Sequence, residues 1–159
     1  GSRLAQMAQA FGVRVIWGEH KHAAAVREGY TAFDEALAQA DIISLHCPLN
    51  EQTRNMIGEA ELQRMKPRAV LINVGRGGLV DEHAVMAALK YGQLGGAGFD
   101  VLTAEPPREG NPLLARLPNL IFTPHTAWAS EEALNTMTRM IEDNIRAFVS
   151  GAPTNVIAA

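Results

Sequence analysis

The chain has 159 residues, enough for one domain with a substantial core, and its 47% hydrophobic and 19% charged content is that of a soluble globular protein. Fourteen basic against seventeen acidic residues give a net charge of −3 with no basic cluster, which argues against a nucleic-acid partner. One cysteine leaves no internal disulfide framework, no apolar run is long enough to span a bilayer and no signal peptide is present, so the cytoplasm is the expected setting.

The elements follow a regular period. "SRLAQMAQAF" at 2–11 reads as a helix, and the apolar run "VRVIW" starting at 13 reads as a strand. A helix is expected at "DEALAQA", 34–40, then a strand from "DIISLHC" at 41. The helical pattern "GEAELQRM" at 58–65 leads to the strand "AVLINV" at 69. "DEHAVMAALKYG" at 81–92 is the next helix, followed by strands at "GAGFDV", 96, and "LIFT", 120. A last helix from about Ser130 to Val149 carries Leu134, Met137, Ile141, Ile145 and Phe148 on one face. Ser130 is its expected N-cap, and Gly151 and Pro153 its stop. The strands are nearly continuous in apolar residues, as a parallel sheet covered on both faces requires. Strand and helix alternation at this spacing means right-handed crossovers, hence an α/β, doubly wound, Rossmann-like sheet of five strands. Such folds open on a strand and a Gly-rich turn, whereas this chain opens on the helix, so the sheet is expected to be truncated at the N-terminus. The methionines read as core filler.

Ligands of open parallel sheets bind beyond the carboxyl ends of the strands. Those ends carry Glu19, then His46, Cys47 and Pro48, then Arg76 between Gly75 and Gly77, then Asp100 and Glu105, then His125. A cation, carboxylates and imidazoles on one edge suit an anionic substrate and a proton transfer. Taken singly, Arg76 also reads as a solvated turn residue, Glu105 as a loop carboxylate before Pro106-Pro107, and Asp100 as a turn or cap residue. Glu19 falls where dinucleotide folds hold the adenosine ribose diol, which favours NAD; His20 and Lys21 follow at once and keep NADP open. Cys47 reads as a small packing residue rather than a nucleophile. Trp128 reads by itself as core packing against the following helix. No Cys/His spacing suggests a metal, and there is no Walker-type motif.

"INVGRGGLVDE", "GAGFDVLTAEPP" and "TPHTAWAS", in this order, resemble the D-2-hydroxyacid dehydrogenase family over essentially the whole chain. "WGEHK", "HCPLN" and "PHTAWAS" are most similar to bacterial glycerate dehydrogenases, or hydroxypyruvate reductases. The resemblance implies a hydride-transfer enzyme acting on small 2-oxo or 2-hydroxy acids such as hydroxypyruvate/glycerate or glyoxylate/glycolate. It implies that Arg76 binds the substrate carboxylate, that His125 is the acid/base with Glu105 as its partner, and that Asp100 holds the nicotinamide carboxamide. It places Cys47, Pro48, Val74 and Gly75 beside the cofactor, and it implies, as an equal alternative to core packing, that Trp128 narrows the substrate pocket. It also implies that residues 1–150 form an incomplete NAD(P)-binding domain with a C-terminal tail at 151–159, a substrate-binding domain lying outside this chain, and a homodimer. The family's fold also serves corepressors, so a non-catalytic nucleotide-binding or dimerisation module is the alternative. With the opening strand missing between the strands at 13 and 69, the chain alone is expected to bind NADH poorly and not to turn over.

Overall fold

The computed structural model describes residues 1–157; the last two residues of the expected tail, 158 and 159, lie outside the described residues. The chain divides into two compact units, residues 1–124 and residues 125 onward.

The first unit is a parallel sheet with helices between its strands. Helix α1 (Ser2–Ala10) and helix α2 (Phe33–Gln39) precede strand β1 (Ile42–Leu45). Helix α3 (Glu59–Arg64), strand β2 (Ala69–Asn73), helix α4 (Glu82–Lys90), strand β3 (Leu94–Phe99) and strand β4 (Leu120–Phe122) follow. The sheet order is β1-β2-β3-β4, all neighbours parallel. Parallel strands of this kind are covered on both faces, and in β2 (AVLIN) one face, Ala69, Leu71 and Asn73, is buried while the other, Val70 and Ile72, is half-buried. Leu45, Ile57, Leu62, Leu79, Val85 and Phe99 join the same core. Helix α4 starts where its sequence says it should. The Asp81 side chain accepts hydrogen bonds from the backbone N–H groups of His83 and Ala84, at 3.0 and 3.1 Å. Gly95 in β3 is required by close approach, since a Cβ there would lie 2.2 Å from the carbonyl oxygen of Arg68.

Two expectations need correction. The run at 13–17 is not a strand. Strand status requires a paired neighbour, and this run makes none; the only ladder contact beside it is a single parallel bridge of Gly18 with Thr31. The opening strand, expected to be missing between the strands at 13 and 69, also leaves no gap beside the strand at 69, because the strand starting at 41 fills that place. That strand pairs directly with β2, Ile42 opposite Val70 through Leu45 opposite Asn73. The sheet therefore has four contiguous strands among the described residues and not the five expected. The methionine reading holds for Met65 and Met86, which are buried, and fails for Met7, Met137 and Met140, which are exposed.

The second unit is dominated by helix α5 (Glu131–Val149). Ser130 caps it, its Oγ accepting from the N–H of Ala133 at 3.2 Å, with Glu131 and Glu132 in the first turn. The expected apolar face forms, but none of the helix's residues is buried; Phe148 is 74% exposed. No helix among the described residues is long and apolar enough to cross a membrane.

Candidate active site

Beyond the carboxyl ends of β1 and β2 the first unit opens a cleft of about 590 Å³ lined by Gly1, His46, Cys47, Pro48, Gly75 and Arg76. The N-terminus of α1 faces it: a Cβ on Gly1 would lie 3.4 Å from that of His46. That helix end has no side-chain cap and no acidic residue in its first turn. Free N–H groups and an uncancelled dipole suit an anion. The residues present thus fit the diphosphate of a dinucleotide. Val74, 44% exposed, lies beside Gly75 at the end of β2.

The turn after β2 is built by a residue the sequence reading passed over. Asn73 is fully buried, its Nδ2 donates to the Arg76 carbonyl at 2.8 Å, and its Oδ1 accepts from the Gly75 N–H at 3.1 Å. A polar residue ending an otherwise apolar central strand was the available signal, because buried amides are kept only where their bonds are made. The Arg76 side chain is exposed, with Nη1 donating to the Gly75 carbonyl at 2.8 Å. Gly77 is required by a close approach of backbone. A Cβ there would lie 1.9 Å from the carbonyl carbon of Leu102, so the turn can only touch the 102–103 backbone if residue 77 has no side chain.

Asp100, 2% exposed, follows β3; its Oδ1 accepts from the hydroxyl of Thr123 and its N–H donates to the Asn73 carbonyl at 3.1 Å. Glu105 lies in the next loop and its Oε1 accepts from the Leu102 N–H at 2.7 Å. Arg76, Asp100 and Glu105 are thus carried by one framework in the first unit. His125 opens the second unit, in a positive-φ conformation (54°), and its carbonyl accepts the indole N–H of Trp128 at 2.8 Å. Trp128 is 53% exposed, so the core-packing reading of it fails.

Glu19 is buried, and its carboxylate is filled from within the chain. It accepts from the N–H groups of His20 and Arg27 and from Nε and Nη2 of Arg27, the last two at 2.7 Å. The Arg27 guanidinium beside it holds its pKa down at about 2. The pair's stabilisation is therefore complete above the ordinary carboxylate value of 4.5 and is lost only as the pH falls toward about 2. A ribose diol at Glu19 would have to take over bonds that Arg27 now makes, an involvement that Arg27's position eight residues on did not advertise. Lys21, which with His20 kept NADP open, is held by Glu61 at 3.1 Å and by the Met56 carbonyl at 3.2 Å. Cys47 is half-buried with its Sγ 3.7 Å from Met56 Sδ, and burial pushes its thiol pKa up, as a packing residue requires. Burial likewise lowers the pKa of His46, whose Nε2 is 2.9 Å from Ser44 Oγ. Among the described residues no cluster has the make-up of a metal site.

Comparison with known proteins agrees with this frame. The family model described as "D-isomer specific 2-hydroxyacid dehydrogenase, NAD binding domain" matches residues 1–127. The chain is 48% identical over 160 residues to a glycerate dehydrogenase of Methylorubrum extorquens, covering 100% of the chain and 50% of the relative. It is 37% identical over 162 residues to a glyoxylate reductase of Aeropyrum pernix, covering 99% of the chain and 48% of the relative. The NAD-complexed crystal structure of a D-isomer specific 2-hydroxyacid dehydrogenase from Lactobacillus delbrueckii ssp. bulgaricus superposes with a TM-score of 0.86 at 34% identity, covering 100% of this chain and 52% of that one. The chain spans about half the length of the curated relatives it matches. Because the family model covers residues 1–127 of the 159, the chain belongs to the D-isomer specific 2-hydroxyacid dehydrogenase family, as its NAD binding domain.

Proposed function

We propose that the whole protein moves a hydride between NADH and a small 2-oxo acid, with hydroxypyruvate/glycerate or glyoxylate/glycolate as the substrate pair. The observation that carries this reading is Arg76, whose exposed side chain lies at the rim of the α1 cleft on a turn that the buried Asn73 holds by its backbone. NAD, held by the N-terminus of α1 together with Cys47, Pro48, Val74, Gly75 and Asp100, supplies the redox chemistry. Arg76 binds the substrate carboxylate in a planar two-point contact and polarises the adjacent carbonyl. His125 gives a proton to the carbonyl oxygen during reduction and recovers it during oxidation, with Glu105 as its partner. A substrate-binding domain outside this chain, a homodimer and a cytoplasmic setting complete the reading; the names of the relatives support the substrate class.

The test is a panel of 2-oxo acids offered to the whole protein with NADH. Hydroxypyruvate or glyoxylate should drive NADH oxidation, with D-glycerate or glycolate as product. Absence of NADH oxidation with every member of the panel overturns the proposal.

A further inference from the structure

We propose that Glu82 is a positioning residue that fixes the loop carrying Glu105 against the turn carrying Arg76. The proposal rests on the reading of Arg76 and Glu105 given above. Glu82 is the first residue of α4 and is only 8% exposed. Its Oε1 accepts from the N–H of Thr103 at 2.7 Å, and its Oε2 accepts from Nδ2 of Asn111 at 2.6 Å. These two donors bracket the loop in which Glu105 lies. At the near end of that loop the backbone of Leu102 and Thr103 rests on Gly77, the residue after Arg76. Glu105 in turn accepts from the Leu102 N–H. One buried carboxylate therefore sits beneath the junction of the arginine turn and the carboxylate loop.

The bonding requires a carboxylate. Both groups facing Glu82 are donors, and a backbone N–H has no other role. Asn111 cannot offer its carbonyl instead, because its Oδ1 already accepts from the Leu113 N–H at 2.9 Å and caps the following turn. A glutamine at position 82 would satisfy one donor and set its own NH₂ against the other. Exchanging the partner's chemistry repairs this: in Glu82→Gln/Asn111→Asp, the new amide donates to one oxygen at position 111 while its carbonyl keeps the Thr103 bond. The second oxygen at 111 keeps the Leu113 bond, and the net charge is unchanged.

The experiment compares Glu82→Gln, Asn111→Asp, the double variant and Glu105→Gln in the whole protein. Glu82→Gln should lower kcat for 2-oxo acid reduction by about tenfold or more, with KM for NADH unchanged, because a mis-set loop damages the reacting geometry and not the cofactor cleft. Amide hydrogen exchange over 102–111 should quicken by about tenfold while the amides of β2 stay unchanged. The double variant should restore kcat and exchange toward wild type, and it should be more stable than either single variant even where a single variant folds poorly. A wild-type kcat in Glu82→Gln, or a double variant no better than the singles, overturns the proposal. Glu105→Gln separates the two levels of failure. If its kcat is unchanged, the functional reading is at fault; if its kcat falls while that of Glu82→Gln does not, only the positioning role is.

Discussion

Replacing Arg76 by lysine in the whole protein should lower kcat/KM for the 2-oxo acid by about 10²–10³-fold, comparable to removing one strong transition-state donor. The charge is retained, so the loss isolates geometry. A guanidinium offers a planar fork that meets a carboxylate at two points, and an ammonium offers a single point charge on a flexible stem. The arginine turn itself should survive, because Asn73 holds it by the Arg76 carbonyl and the Gly75 N–H and does not bond the guanidinium. NADH affinity should therefore stay close to wild type when measured by fluorescence titration. Equal loss of cofactor binding would mean that Arg76 serves the cofactor's phosphates or the turn, and not the substrate.

Gly77→Ala should be the most damaging single change to the fold in this motif. The added Cβ would lie 1.9 Å from the Leu102 carbonyl carbon and 2.2 Å from both its oxygen and the Thr103 nitrogen, all backbone atoms. Backbone on both sides must move, at a cost of about 3 kcal/mol or more. For a domain of this size that is a fall in Tm of roughly 6–12 °C. Gly75→Ala is the contrast: its nearest neighbours would be no closer than 3.5 Å, an ordinary contact, so its Tm should be close to wild type. Thermal denaturation of the two variants side by side checks this. Similar Tm values would show that the 77–102 contact is not a close approach that the fold depends on.

Much of this framework was readable from residue order. The helices at α4 and α5 announce themselves by apolar spacing and by Asp81 and Ser130 at their starts, both of which cap as their chemistry demands. The residues at the strand ends were also legible, since a parallel sheet collects them on one edge. What failed were features that depend on a partner far away in sequence. "VRVIW" has strand composition, yet a strand exists only where another strand pairs with it, and its backbone finds only the bridge at Thr31. Glu19 looked available for a diol because nothing near it in sequence shows that Arg27 will return to fill its carboxylate. Nothing near Glu82 in sequence shows its role, because its buried bonds to Thr103 and Asn111 come from the tertiary fold. The glycines of the arginine turn were recognised, but the reason for Gly77 lies 25 residues away at Leu102.

Isotope tracing reads the proposed hydride transfer to a 2-oxo acid directly. The whole protein would be incubated with NADH carrying deuterium at the transferring position of the nicotinamide and with hydroxypyruvate or glyoxylate, and the product examined by NMR and mass spectrometry. One deuterium is expected on the hydroxyl-bearing carbon of the product for each NADH consumed, with the D configuration where glycerate is formed. Consumption of NADH without deuterium at that carbon, or a product labelled by solvent instead, would contradict the proposed transfer.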